Sequence, residues 1–449
     1  MNDRTIWLAS APGSHLSNCV NIRLRLPTFV VFISLMAQGS GSAASQDSEW
    51  SAPRTIEKAP NWTAHNSMSA VHCWSLSKWN NTLLCRKGAS EWLILRDDGS
   101  NWVEATLEAT NSWVVFLAPA DDFGLLGRME LAKDKHQLSL SFRRIESGPD
   151  SLIALGATSE LVLTRKELFG GPPAGKPFSL VLSYATCGPG ARDGTNVYVP
   201  YYVTTEEVSL SSAGVQQTTL GIGPAEAGVL ASSDRGASWT RTRLLGFESW
   251  VQAIKATQGA AHLFAHEPQG KIWCSTKLRQ ESAWSTPQLL VNSAYTGHFM
   301  ADAGDDIAHL CWLDERKKEG LGFLLYGRLG GPNDRRNRIY YRNKKDGDAA
   351  WSKEVLLSGS MSWVGQPVMS AEGNRIVVAW GNRTGQLKAD VYYCMSKDNG
   401  QTWTRPSRLT DSEGPSAECP KIALFRGVIH LFYTEQGNLV YRNRPFPAR

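Results

Sequence analysis

SKDNGQTW (Ser396–Trp403) and SSDRGASW (Ser232–Trp239) write one eight-residue formula, Ser-x-Asp-x-Gly-x-x-Trp, at two places in one chain. The letters are those of a tight turn. Ser and Asp side chains accept hydrogen bonds from nearby backbone N–H groups, and Gly takes positive φ without steric penalty, so a strand reverses within a few residues. The closing Trp is a large apolar plate that packs between neighbouring units. The formula therefore reads as a building part and not as a catalytic site.

Working outward, RDDGSNW ends at Trp102, while KDGDAAW at Trp351 and LRQESAW at Trp284 are degenerate copies. The residues after the Trp are alike: WTRTRLL (239), WSTPQLL (284), WSKEVLL (351) and WTRPSRL (403). Short β-branched or aromatic runs precede the turns: GVLASS, KIWCST, RIYYRN and DVYYCM. A second repeat lies upstream: AHLFAHE (261–267), AHLCWLDE (308–315), RIVVAWGN (375–382) and IHLFYTE (429–435). Each unit thus reads as an inner strand, this strand, the strand before the turn and the strand after it. Four antiparallel strands recurring along a chain are the signature of a β-propeller blade.

The chain ends predict how such a ring closes. CPKIALFRGVIHLFYTEQGNLVYRNRPF (419–446) supplies only three strands, and WSAPRTI (50–56) carries the pattern that follows a closing Trp. Pairing the N-terminal strand with the last blade would remove an open sheet edge. The Trp positions 50, 102, 239, 284, 351 and 403 leave one interval of 137 residues, which must hold a degenerate blade; SELVLTRKELFGG (159–171) is the candidate for its third strand. Seven blades is the favoured count, with six and eight left open.

The net charge is +5 in 449 residues, with no Lys/Arg block, so the expectation is no nucleic-acid partner. FVVFISLMA (29–37) follows Arg23 and Arg25 and precedes Ser42-Ala43-Ala44, which reads as a secretory leader over 1–44, with a single domain over 45–449 exported to a periplasmic or extracellular space. The run is too short for a standard membrane span, and no transmembrane segment is expected elsewhere. None of the eight Cys forms a Cys-x-x-Cys pair, so neither a zinc site nor any cofactor is expected. Cys73 and Cys85 either bridge adjacent strands or remain free thiols. His262, His309 and His430 occupy one position of three units, spread around a ring, and read as structural residues and not as ligands of one ion.

The full formula resembles the Asp-box, or bacterial neuraminidase repeat, and the chain is similar to sialidase-like propellers over roughly residues 50–445. Asp97, Gly99, Trp102, Asp234, Gly236, Trp239, Asp398, Gly400 and Trp403 are its structural box residues. The resemblance implies three Arg holding a sugar carboxylate, a Tyr–Glu pair as nucleophile and helper, and an Asp as acid/base. The family's Phe-Arg-Ile-Pro motif is absent, and Arg54 falls in the closure strand. In a propeller the loops between second and third strands and between blades share one face around the central funnel. There Glu267, Asp314 and Glu435 are the candidate catalytic carboxylates, with turn stabilisation as the competing reading. Trp250, Tyr295, Trp363, Arg383 and Glu418 are the candidate substrate contacts, since Trp and Tyr faces suit sugar rings. A basic insertion over 316–338 adds Arg328, Arg335, Arg336 and Arg338 to that face. The two functional expectations are an exported glycan-binding or glycan-hydrolysing protein of exo-sialidase type, and a non-catalytic scaffold for a glycan, small-molecule or protein ligand.

Overall fold

The computed structural model describes residues 50–57, 75–79, 82–86, 91–95, 102–106, 114–119, 123–132, 135–147, 153–170, 178–187, 190–193, 196–210, 217–244, 250–267, 270–293, 296–314, 337–361, 364–383, 389–410 and 417–447. The chain divides into Met1–Ser45 and Gln46–Arg449. All described residues belong to the second unit, and the leader reading lies outside them.

The described residues are almost entirely β. They form seven antiparallel sheets, six of four strands and one of five. Sheet 1 is Ser75–Trp79, Thr82–Arg86, Glu91–Leu95 and Trp102–Thr106. Sheet 2 is Val114–Pro119, Phe123–Leu131, Gln137–Ser147 and Ile153–Thr164. Sheet 3 has a divided first strand, Phe178–Cys187 and Ala191–Asp193, then Asn196–Leu210, Gln217–Ser232 and Thr240–Arg243. Sheet 4 is Trp250–Ala256, Ala260–His266, Lys271–Leu278 and Gln288–Asn292. Sheet 5 is Thr296–Ala303, Ile307–Asp314, Arg338–Lys345 and Val355–Leu356. Sheet 6 is Val368–Glu372, Arg375–Arg383, Ala389–Ser396 and Ser407–Arg408. Sheet 7 is Ala417–Phe425, Val428–Glu435, Asn438–Pro445 and the N-terminal strand Arg54–Glu57.

Burial explains the sequence patterns. The second strands AAHLFAH, IAHLCWLD and VIHLFYTE are buried along nearly their whole length, because each lies between the faces of two neighbouring sheets. Continuous apolar runs are what a doubly covered strand requires. Third strands such as Lys271–Leu278 alternate in part, and the outer strand Gln288–Asn292 is exposed except at Leu290 and Val291. Apolar clusters fill the gaps between sheets 3 and 4, 4 and 5, 5 and 6, and 6 and 7. The first strands of successive sheets touch from sheet 1 to sheet 7, and the first strands of sheets 7 and 1 touch each other.

The last sheet takes its fourth strand from the other chain end. Arg54 pairs with Tyr441 and Thr55 with Val440, and Ser51 N donates to Asn443 O at 2.8 Å.

The turn formula works through short local bonds. Ser232 Oγ donates to Asp234 Oδ1 at 2.8 Å and accepts from Gly236 N at 2.7 Å, while Ser238 N donates to Asp234 Oδ1 at 2.8 Å. The second copy repeats this, with Gly400 N on Ser396 Oγ and Thr402 N on Asp398 Oδ1, each at 2.8 Å. Arg235 and Gly236 take φ of 62° and 86°, Asn399 and Gly400 59° and 81°. Hydrogen bonds from Ser238 and Ser232 hold Asp234 down at about 2. Burial raises Asp398, but bonds from Thr402 and Ser396 outweigh it and leave the carboxyl below its usual range.

Each described closing Trp packs on the preceding sheet. Trp239 stacks on Phe142 of sheet 2 with centroids 4.0 Å apart; Trp284 meets Tyr198 of sheet 3 at 5.9 Å, Trp351 meets Phe264 of sheet 4 at 5.8 Å, and Trp403 meets Tyr341 of sheet 5 at 4.8 Å. Trp50, entering the fourth strand of sheet 7, meets Tyr393 of sheet 6 at 5.3 Å. The N-terminal Trp therefore fills the same slot in its sheet as the others do in theirs. Asp97 and Gly99, and the side chain of Trp102, lie outside the described residues.

Two local expectations change. The 137-residue interval does hold an additional sheet, sheet 2, but Ser159–Thr164 belongs to its fourth strand and not its third. The strand ends because Thr164 and Glu167 form a reciprocal capping box that starts the helix Arg165–Phe169. The degenerate turn of sheet 5 points its Asp346 at the neighbouring sheet: its carboxylate accepts from Thr257 Oγ1 at 2.9 Å and Gly259 N at 3.0 Å.

Candidate functional site

Register brings the start of each first strand beside the end of the second. Trp250 pairs with His266, Thr296 with Asp314, and Ala417 with Glu435, and Val364 bridges Asn382. One end of these sheets therefore carries the second–third connections together with the entries of the first strands. Between sheets 4, 5 and 6 this end is polar. His266 Nε2 lies 3.0 Å from Thr296 O, and His298 Nε2 lies 2.7 Å from Gln366 Nε2. His298 and Gln366 are exposed and His266 is half-buried. Burial lowers both imidazoles below their ordinary range, and for His298 the neighbouring His266 adds to this. Both rings are therefore neutral at neutral pH and offer one donor and one acceptor nitrogen each.

The three candidate carboxylates lie at this end on three sheets: Glu267 and Asp314 on neighbouring sheets 4 and 5, Glu435 two sheets further on. Glu267 accepts from Trp273 Nε1 at 2.7 Å and pairs with Lys271 at 3.2 Å, while its own N–H bonds Lys271 O. These bonds fasten its own hairpin. Asp314 is fully buried, and Ser293 Oγ donates to it at 2.9 Å. Glu435 is half-buried; burial pushes its carboxyl up, and Arg442 opposes the shift. Arg383 ends the second strand of sheet 6 and is exposed. Trp250 and Glu418 stand in the first strands of sheets 4 and 7, and their side chains are outside the described residues. Tyr295, Trp363, Arg328, Arg335 and Arg336 lie outside them altogether.

The repeated histidines are tied within their own sheets: His262 Nδ1 to Thr276 Oγ1 at 3.1 Å, His309 Nδ1 to Tyr341 OH at 2.7 Å, and His430 Nδ1 to Tyr441 OH at 2.8 Å. Among the described residues no group of three or more His, Cys, Asp or Glu is placed to hold a metal ion, and no helix is long and apolar enough to cross a membrane. Cys274, Cys311 and Cys394 are buried free thiols; the Cys73–Cys85 pairing lies outside the described residues.

Two charged constellations were not legible in the sequence. In sheet 3 Tyr201 OH donates to Glu226 Oε1 at 2.6 Å, and the Nε atoms of Arg241 and Arg243 lie 3.8 and 3.6 Å from that carboxylate. This is a Tyr–Glu pair flanked by two Arg, but on the second, third and fourth strands, with Tyr201 and Glu226 both about fully buried. Burial, then the bond to Glu226, pushes the phenol well above its ordinary range, so it stays protonated. The arrangement neutralises a buried carboxylate and presents no accessible nucleophile. The second constellation stands on the first strands: Lys255 Nζ and Lys78 Nζ flank Asp302 at 3.4 and 3.6 Å. In register, Lys255 and Asp302 pair with the repeat-position residues His262 and His309.

No family model matches the chain, and no curated protein does. Several solved structures are similar in shape. YCF48 bound to D1 peptide matches with a TM-score of 0.41 at 12% identity, covering 86% of this chain and 97% of that one. The Hadza microbial sialidase Hz136 matches with a TM-score of 0.40 at 11% identity, over 82% and 74%. The β-propeller domain of the Trilobed protease from Pyrococcus furiosus matches with a TM-score of 0.40 at 7% identity, over 75% and 86%. At these values the similarity carries neither a residue nor an activity to this chain.

Proposed function

We propose that residues 45–449 form a closed seven-bladed propeller of the Asp-box type, exported behind the leader 1–44, that binds a glycan without cleaving it. Three features support the ring: the contact of first strands from sheet to sheet, the strand Arg54–Glu57 in sheet 7, and Trp50 in the slot of a closing Trp. The observation that carries the non-catalytic reading is the engagement of the carboxylates. Glu267 is spent on Trp273 and Lys271, and Asp314 is fully buried. Most glycosidases need two carboxyl groups facing one scissile bond across a defined gap, and the sialidase type needs an accessible Tyr nucleophile beside its Glu, whereas the Tyr201–Glu226 pair is buried. The polar end formed by His266, His298 and Gln366 supplies neutral donors and acceptors of the kind sugar hydroxyls use. In this reading Trp250, Tyr295 and Trp363 are the stacking surfaces, and Arg383 and Glu418 the polar contacts.

The test is a glycan array read beside a panel of fluorogenic glycosides that includes sialosides. The expected result is saturable glycan binding, weakened at least tenfold by His298→Ala together with Gln366→Ala, with no glycoside turned over. Turnover abolished by Asp314→Asn or Glu435→Gln would replace this reading with a hydrolase, and a protein that binds no glycan would end it.

A further inference from the structure

We propose that Lys78, Lys255 and Asp302 form an anion-binding site at the opposite end of the first strands, taking a carboxylate or phosphate group between the two ammonium ions. The three residues come from the first strands of sheets 1, 4 and 5, each just before the hairpin that joins first and second strands. Lys78 also donates to Ala371 O of sheet 6 at 2.6 Å. Sheets 1 and 5 are not neighbours, so Lys78 reaches across the space that the first strands surround.

The charges do not balance. Two ammonium groups face one carboxylate, and burial's tendency to raise Asp302 is outweighed by Lys78, Lys255 and the Ala371 N–H, which hold it at about 2. Asp302 is therefore ionised and the cluster carries one net positive charge. His309, the register partner of Asp302, adds none: burial lowers it to about 4, so it is neutral, and its buried Nε2 has no hydrogen-bond partner. Asp306 in the adjoining hairpin is already paired with Lys345 at 3.4 Å.

The contacts are also loose. Charge-assisted N–H···O bonds close to about 2.7–2.9 Å, whereas these ammonium–carboxylate distances are 3.4 and 3.6 Å. The lysine side chains keep 30% and 32% of their exposure and Asp302 only 12%. Asp302 is further committed to Ala371 N at 2.8 Å. Each ammonium therefore retains donors toward solvent, even with Lys78 bonded to Ala371 O, while the single carboxylate is tied back. A group with two or three acceptor oxygens fits this arrangement, and a neutral sugar hydroxyl does not offset the charge.

The experiment is calorimetric titration of the full chain with sodium phosphate and with sodium acetate, against sodium chloride at equal ionic strength. The expected result is saturable binding of at least one oxyanion and none of chloride. Lys255→Met should reduce it tenfold or more, while Asp302→Asn, which keeps an acceptor for Ala371 N, should tighten it by roughly tenfold through removal of a competing charge. Phosphate alone would assign a phosphorylated ligand, and acetate alone a carboxylate. Absence of oxyanion binding would overturn the proposal, as would binding indifferent to Lys255→Met or an Asp302→Asn protein that binds no tighter. The site is independent of the glycan reading, since inorganic anions report on it whether or not a sugar binds elsewhere.

Discussion

Gly400→Ala is the sharpest test of why the turn formula demands its glycine. Gly400 has φ of +81°, and a Cβ built there would run into the hydroxyl and ring of Tyr341. Tyr341 is fully buried; its hydroxyl lies 2.7 Å from His309 Nδ1 and donates to Asn399 O at 3.3 Å. Two penalties add. Left-handed backbone costs an L-residue roughly 1–2 kcal/mol, and displacing a buried ring in a close-packed core costs about 1–3 kcal/mol more. The total is about 2–5 kcal/mol, which for a unit of ~400 residues lowers Tm by about 2–6 °C. Gly347→Ala is the internal control. Its φ is +85°, but nothing lies within 4 Å of the added methyl. It should lose only the backbone share, about 1–2 °C. Scanning calorimetry of the two variants beside the parent protein gives the comparison. Equal losses at 400 and 347 would refute the argument, because the Tyr341 contact would then contribute nothing.

Two further outcomes follow from the same geometry. Asp234 ionises at about 2 in the folded protein against an ordinary 3.8, so its contribution is present above about pH 4 and is lost as pH falls toward 2; the Tm gap between the parent and Asp234→Asn should close over that window, and a gap that does not change with pH would contradict it. Trp50→Ala removes a buried ring that packs on Tyr393 and lies under the Arg444 guanidinium, 5.6 Å from its centroid; the expected loss in urea unfolding is about 3–5 kcal/mol, and a loss below about 1 kcal/mol would deny that the N-terminal strand clasps sheet 7.

The box turns were legible from sequence because their bonds are local. Ser232, Asp234, Gly236 and Ser238 reach one another across two to four residues, so the letters alone dictate the turn. The strand units were legible because a doubly covered strand must be apolar throughout, which VIHLFYTE and IAHLCWLD display. Even the partnership of the two chain ends could be read, since WSAPRTI repeats the residues that follow the other closing Trp residues. Sheet 2 was harder to place. No copy of the turn formula marks it, and its fourth strand, which ends at a capping box, resembles the third strand of the other units.

The charged groups were decided by the tertiary structure. Nothing in SLSKW, QAIKA or MADA announces that Lys78, Lys255 and Asp302 meet, because the meeting depends on three first strands entering one space at one height. Nor does sequence tell Asp398, which caps its own turn, from Asp346, which reaches into the preceding sheet, or a free Glu267 from one held by Trp273. Backbone turns and apolar periodicity are short-range properties that a chain writes within a few residues. The state of a carboxylate depends on which distant donor folding delivers to it, so the sequence by itself determined the repeating scaffold, and only the assembled sheets decided which acidic and basic residues are already satisfied.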